Sequence, residues 1–383
     1  MKKLNAALIG YKFMGRAHSN AFRQVNHFFD ADALIVPRVL CGRNEKAVSA
    51  AADKFGFESY ATDWKELMKR DDIDFVDITA PSNAHMEMAL MAAEEKKNIF
   101  CEKPLAMTSV EAKQMWKAAD KAGIVHQVGF NYRFVPAIQL AKKLINEGKL
   151  GEIYHFRGLY LQDWILDPDF PLVWRLDKNV AGSGSHGDIN AHIIDLARYL
   201  VGDFKKVMGM QKTFIKKRPI VESMDGLSAS GTGSGVMGDV TVDDASIFMT
   251  EFKNGALGTF EATRFAAGNR NGMSFEINGS KGSIRFYFQQ MNELQYYNAE
   301  DPSNQQGFKT ISVTEAEHNY AGAWWPPGHI IGYEHTFVHE MYEFVQAIAN
   351  SNQAYPDFED GYMCCKVLDA VDTSIKERQW IDV

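Results

Sequence analysis

Up to about residue 126 the chain alternates short apolar runs with helical patterns, and this alternation constrains the fold more than any single motif. The order is LNAALI, a helix from Ala17, LIVPRVLC, EKAVSAAADKFG, FVDITA, HMEMALMAAEEK, NIFCEKP, SVEAKQMWKAADKAG and IVHQVGF. Strands alternating with helices at this spacing join by right-handed crossovers, so residues 1–126 are predicted to form a doubly wound parallel sheet of the Rossmann type. The segments GYKFMG, CGRN, TAPSNAH, CEKP and GFNYRF then all fall at the carboxyl ends of strands. That is the edge where open α/β sheets receive ligands.

A total of 383 residues is too long for one ordinary core. After a linking helix at PAIQLAKKLINEGKLG the pattern changes to long alternating strands: EIYHFRGLYLQDW, DDASIFMTEF, GALGTFEATRF, MSFEINGSKGSIRFYF, NELQYYN and GFKTISV. Period-2 alternation with hairpin signals at KNGA and NGSKG predicts a large open, mainly antiparallel sheet in a second, α+β domain over 127–383. Within it lie a helix at GDINAHIIDLARYLVG, a Gly/Ser-rich excursion at GLSASGTGSGVMGDV and two closing helices.

The net charge of −8 gives no footprint for nucleic acid or an anionic membrane surface. No run approaches the roughly 20 apolar residues of a membrane span, and the opening MKKLNAALI is read as a strand rather than a leader. Cys41, Cys101, Cys364 and Cys365 show neither a C-x-x-C spacing nor a disulfide framework. A cytoplasmic protein without a metal site is the expectation.

GYKFMG nearly spells the dinucleotide fingerprint G-x-G-x-x-G. Gly10 and Gly15 hold the first and third glycine positions, and Lys12 stands at the second. Alone, the match is equally an ordinary strand-to-helix turn; its place at the head of a β/α run favours a dinucleotide. A Walker-type phosphate loop fails, because Arg16 and Ala17 follow where Lys and Ser or Thr belong. At the end of the second strand a carboxylate would bind the adenosine ribose, whereas Arg43 in CGRN suits a 2′-phosphate and leans the cofactor, NAD(P), toward NADP. The competing reading makes Arg43 a solvated loop residue. Lys103 precedes Pro104, and a cis bond there would turn the lysine into the crevice, although only about 5% of X-Pro bonds are cis.

On the helix that follows AGSGSHG, Asp188 and His192 are four apart and Asp195 follows three later, so one helical side presents a carboxylate and an imidazole together. Singly, Asp188 reads as a helix N-cap and His192 as a core histidine.

GYKFMG, TAPSNAH, CEKP, GFNYRF and AGSGSHGDINAHIID occur in one order along essentially the whole chain, which resembles the Gfo/Idh/MocA family of glucose-fructose oxidoreductase and inositol dehydrogenase. YLQDW and GDINAHIIDLARYLVGDF look like its branch containing levoglucosan dehydrogenase. The resemblance implies a dehydrogenase that moves hydride between nicotinamide and a ring hydroxyl of a sugar, anhydrosugar or cyclitol. Lys103, Asp188 and His192 are the implied catalytic residues, facing one another across a domain cleft. His192 suits the base, since its unperturbed pKa of about 6.5 favours proton exchange near neutrality. Gly10, Lys12, Phe13, Met14, Gly15, Arg43, Thr79, Pro81, Asn83, His85, Glu102, Lys103 and Asn131 are expected at the cofactor. Tyr132, Arg133, Gln162, Asp163, Trp164, Trp174 and Arg175, with Asp188 and His192, are expected at the substrate; for the aromatics, core packing competes. The family also contains glycosidases that oxidise their substrate transiently on bound NAD, and a dinucleotide-sensing regulator. Intact Lys103, Asp188 and His192 argue against a sensor. Relatives further imply a homo-oligomer built through the C-terminal sheet.

Overall fold

The computed structural model describes residues 2–220 and 235–383, so residues 226–234 of the Gly/Ser-rich excursion lie outside the described residues. The chain divides into two compact units, Met1–Asn131 with Gly332–Cys365, and Tyr132–Ile331 with Lys366–Val383.

In the first unit six parallel strands, β1 (Lys2–Ile9), β2 (Ala33–Cys41), β3 (Ser59–Ala61), β4 (Phe75–Ile78), β5 (Asn98–Glu102) and β6 (His126–Gly129), lie in the order β3-β2-β1-β4-β5-β6. The order reverses between β1 and β4, the switch point of a doubly wound sheet. Pro37 interrupts β2 because it has no N–H to give a neighbour, and the β1–β2 register slips opposite it. The helices are α1 (Phe13–Phe28), α2 (Glu45–Phe55), α3 (Trp64–Met68), α4 (His85–Glu94) and α5 (Ser109–Ala122). Helix α1 begins at Phe13, four residues before the predicted Ala17, directly against the glycine turn.

The reading from sequence ends the first domain at residue 126, yet residues 332–365 group with the first unit. The reason is aromatic. Helix Tyr333–Asn350 sets Tyr342 with its ring centroid 4.6 Å from Phe29, and Phe344 at 5.5 Å from both Phe75 and Phe100. Such rings bury large apolar surfaces that neither segment could hide alone.

The second unit holds helices α6 (Pro136–Asn146), α7 (Lys178–Ala181) and α8 (Ala191–Leu200). It also holds β7 (Ile153–Leu161), β8 (Phe204–Lys212), a small pair β9 (Lys217–Pro219) and β10 (Met237–Asp239), then β11 (Ala245–Phe252), β12 (Leu257–Thr263), β13 (Gly272–Gly279), β14 (Gly282–Tyr287), β15 (Glu293–Asn298), β16 (Lys309–Ser312) and β17 (Ile381–Asp382). Nine of these form one sheet, β16-β15-β14-β13-β7-β12-β11-β8-β17, antiparallel at every pairing except β7 with β12. Alternation sends Phe156, Phe248, Phe260, Phe275 and Phe286 to the buried face and Leu159, Ile247, Met249 and Leu257 outward. Phe248 and Phe260 stack at 4.3 Å across neighbouring strands.

Candidate active site

In the first unit the turn after β1 explains both retained glycines. Gly10 has φ +115°, a backbone that residues with a side chain rarely adopt, and an added Cβ there would press on Thr79. An added Cβ on Gly15 would collide with the Gly10 carbonyl. Lys12 has φ −81° and ψ −145°, outside the left-handed region, and its side chain is exposed. The middle position of this turn therefore accepts a side chain. No side chain caps the N-terminus of the 16-residue α1 and its first turn carries no acidic residue. This leaves positive backbone N–H groups beside a cradle of two Cβ-less positions, a fit for a dinucleotide pyrophosphate.

Around this turn, Phe13 stacks on Tyr333 at 6.5 Å while remaining 42% exposed, and Met14 is half-buried. At the end of β2 the Tyr11 ring fills the space a Gly42 side chain would need, and Arg43 is exposed. The Thr79 hydroxyl after β4 donates to the Ile9 carbonyl at 2.9 Å, tying two strand ends together. Pro81 is half-buried and Asn83 exposed beside it.

His85 is fully buried, and its ring nitrogens lie 2.8 Å from the Ala80 carbonyl and 3.1 Å from the Pro104 carbonyl. Burial lowers its pKa, though the Ala80 carbonyl works the other way. It fastens the loop after β4 to the loop after β5. In that second loop the Lys103–Pro104 peptide is cis. Lys103 is partly exposed, and its backbone N–H donates to Glu102 Oε2 at 3.0 Å. Glu102 is buried, and Asn131 after β6 donates to the Thr336 hydroxyl at 2.8 Å.

In the second unit Asp188 and His192 arise from a junction the sequence did not reveal. A π-helical turn at His186–Asn190 runs into α8. Such wide turns occur often at functional sites. His192 is 7% exposed, with its ring centroid 4.4 Å from Tyr132. The Asp188 carboxylate, 28% exposed, accepts from Nη2 of the buried Arg264 at 2.6 Å. Asp195 is buried and held by Arg133 through Nε at 2.8 Å and Nη2 at 2.5 Å. That bidentate geometry engages one edge of Arg133, and its guanidinium also lies 5.0 Å from the Tyr199 ring.

A chain of hydrogen bonds runs on from the Tyr132 ring. The Tyr132 and Tyr160 hydroxyls lie 2.6 Å apart, Tyr160 donates to Asn271 Oδ1 at 2.9 Å, Gln162 donates to the same oxygen at 2.9 Å, and Trp164 donates to Gln162 Oε1 at 2.9 Å. Asp163 turns away to accept from the Gly268 N–H and from Arg270. Trp174 is 39% exposed beneath the Arg175 guanidinium, 4.4 Å away.

Three of these residues escaped the reading from sequence. Arg264 follows Phe260 and Ala262 at steps of two, so a charge stands on the buried parity of a strand, a legible signal. Tyr160 opens YLQDW and was not singled out. Asn271 sits in the turn GNRNG, where nothing marks it.

Residues 4–130 match the oxidoreductase family with an NAD-binding Rossmann fold, and residues 138–285 match the GFO/IDH/MocA C-terminal domain. Levoglucosan dehydrogenase of Pseudarthrobacter phenanthrenivorans is 45% identical over 100% of this chain and 99% of its own length. The solved structure of levoglucosan dehydrogenase with NADH and levoglucosan superimposes with a TM-score of 0.94 at 44% identity, covering 100% of both chains. That of an oxidoreductase domain protein from Kribbella flavida gives 0.95 at 49%, again over 100% of both. With full-length identity of this order, and both halves matched in sequence order, the chain belongs to the GFO/IDH/MocA oxidoreductase family.

Proposed function

We propose that this protein is an NAD-dependent dehydrogenase of a ring secondary alcohol in an anhydrosugar or closely related pyranose, with levoglucosan the first substrate to test. The observation that carries this reading is the pair of Asp188, four residues before His192, with Arg264, together with the tyrosine–amide wall that the His192 ring meets at Tyr132. It joins an imidazole to fixed hydroxyl and amide groups of the kind a polyhydroxylated ring requires. The 45% full-length identity to levoglucosan dehydrogenase supports the anhydrosugar class.

Bound nicotinamide supplies the hydride acceptor, and the chain supplies position and proton transfer. His192 takes the proton of the reacting hydroxyl, and Lys103 donates a hydrogen bond to the same oxygen as it becomes a carbonyl. Asp188, kept beside a cation, accepts from a neighbouring hydroxyl and orients the ring. Gln162, Trp164, Tyr132, Trp174 and Arg175 form the wall. Gly10, Gly15, Thr79 and the α1 N-terminus hold the pyrophosphate, with Lys12, Phe13, Met14, Arg43, Pro81, Asn83, His85, Glu102 and Asn131 around the remainder of the cofactor. The same reading makes the protein a homo-oligomer through its large sheet. It also places the protein in the cytoplasm, in line with four buried cysteines.

The test is nicotinamide reduction with levoglucosan, D-glucose and scyllo-inositol, each with NAD and with NADP, for the native protein and for Lys103→Ala and His192→Ala. Reduction with levoglucosan that both variants abolish, while NADH binding persists, is the expected result. Hydrolysis of a glycoside without net reduction would replace the dehydrogenase reading with transient oxidation. Unchanged turnover in both variants would overturn the assignment of the catalytic pair.

A further inference from the structure

Beneath the strand ends of the first unit lies a buried ionic cluster of which the proposed reaction uses only Glu102, at the cofactor. His18 of α1 is 1% exposed, with Nδ1 2.7 Å from Asp77 Oδ2 of β4 and Nε2 3.0 Å from Glu102 Oε1 of β5. The other Glu102 oxygen, Oε2, receives the backbone N–H of Lys103. Two hydrogen bonds therefore link a helix side chain to the main chain of the lysine.

We propose that His18 is a positioning residue for Lys103: by holding Glu102 through Nε2 it fixes the carboxylate on which the lysine's backbone rests. The inference depends on the reading of Lys103 as catalytic.

Glu102 is buried, with His18 on one oxygen and the Lys103 N–H on the other. An added Cβ on Gly129 of β6 would lie 3.1 Å from Glu102 Oε1, so the space beside it suits the carboxylate only while residue 129 has no side chain. Rings of Phe100 and Phe337 flank the imidazole at 5.4 and 5.6 Å. Both His18 nitrogens face carboxyl groups, and with both of these ionised each nitrogen donates. Burial by itself lowers the His18 pKa, but Asp77 and Glu102 outweigh it and raise it well above the usual value. Asp77 is shifted up by burial, against the pull of His18. From helix Tyr333–Asn350, Glu340 faces the same cluster, and burial pushes its carboxyl well above the ordinary range. Buried ion pairs contribute little to stability compared with an apolar core of equal volume. What this arrangement gives is one fixed rotamer for Glu102.

Two near-isosteric substitutions separate positioning from packing. The amide nitrogen of asparagine falls where Nδ1 stands and keeps the Asp77 bond. That of glutamine falls where Nε2 stands and keeps the Glu102 bond. The experiment measures kcat and KM for sugar oxidation, NADH affinity by fluorescence, and melting temperature for His18→Asn and His18→Gln. Asparagine is expected to lower kcat on the order of tenfold or more, with NADH affinity within about threefold. Glutamine is expected to restore kcat, although each variant loses one of the two His18 hydrogen bonds and melts lower. Equal kcat in the two variants, or losses that follow NADH affinity, overturns the proposal. Should the asparagine variant not fold, Glu102→Gln reads the same link: lost kcat with retained NADH binding supports it, and unchanged kcat overturns it. Lys103→Ala in the same assay separates the two readings. If that variant turns over normally, the catalytic assignment fails; if it is dead while both His18 variants are normal, only the positioning role fails.

Discussion

Arg264 is closed to solvent, and its guanidinium Nη2 sits 2.6 Å from Asp188 Oδ2, so a buried cation stands under a carboxylate that is still 28% exposed. The pair fixes Asp188 in one orientation and compensates its charge. Its Nη2 also reaches the Gly184 carbonyl at 3.4 Å, and the Trp164 ring lies 5.3 Å away. Arg264→Met, which keeps the stem and removes the charge, is expected to cost about 1.5–3 kcal/mol, roughly ten- to a hundredfold in kcat/KM for the sugar. NADH affinity should stay unchanged, because the residue lies in the second unit. Steady-state kinetics with a fluorescence titration of NADH checks both.

Position 12 of the fingerprint and position 15 should respond oppositely to mutation. Gly15→Ala places a Cβ against the Gly10 carbonyl and is expected to abolish dinucleotide binding or folding. Lys12→Gly removes an exposed charge from a turn whose backbone does not need glycine. It is expected to weaken NAD and NADP alike by no more than about fivefold, the scale of an exposed ion pair. Calorimetric titration with both cofactors decides it, and a loss of a hundredfold with Lys12→Gly would show the side chain to be a required pyrophosphate ligand.

Arg43 stands exposed just beyond the end of β2. Arg43→Ala is expected to raise KM for NADP at least about tenfold, the worth of one charge-assisted phosphate contact, and to leave KM for NAD nearly unchanged. Equal effects on the two cofactors would assign Arg43 to the solvent.

The parallel sheet was legible because its strands are buried on both faces and its helices carry apolar stripes, patterns that survive without tertiary information. The nine-stranded sheet was legible as far as its alternation and hairpin signals reach. What escaped depends on long-range encounters. Nothing local in YEHTFVHEMYEFVQAIAN says that it packs beside α1, since its aromatic face would suit either unit. Asp195 shares a helical side with His192 in sequence, and only the arrival of Arg133 from 62 residues away makes it structural. His18 falls on the apolar stripe of α1 with Phe22 and Val25, and reads as a core histidine until Asp77 and Glu102 are seen around it.

Thiol chemistry offers a check on the core. Burial, helped by the Asp63 carboxylate, pushes the Cys41 thiol up to about 12, and burial likewise raises Cys101 well above its usual value. Since the thiolate is the nucleophile, both should resist iodoacetamide at pH 8 in the native protein and react fully in denaturant, as read by peptide mass mapping. Labelling of either in the native state would mean that the first unit opens on the time scale of the reaction.

The outward face of the nine-stranded sheet carries a contiguous apolar patch. Ile247 pairs in register with Met210, Met249 with Met208, and Glu251 with Leu257 on the next strand. Ile247, Met249, Met210 and Leu257 are 42%, 49%, 65% and 55% exposed. Beside the patch runs a polar ladder in which Glu276 pairs with Arg157 at 3.0 Å and Arg285 at 2.7 Å. An apolar centre with a charged border is the pattern of an interface core and rim. A second copy meeting this face across a twofold axis would bury each side chain twice. Each such burial is worth about 1.5–3 kcal/mol, so a single charge at the centre should count heavily. Ile247→Glu is expected to leave the circular dichroism spectrum unchanged, since the side chain already points outward. The same change should shift the mass by light scattering down to the monomer. An unchanged mass would show that assembly, if any, uses another surface, and a native protein that is monomeric at micromolar concentration would remove the interface altogether.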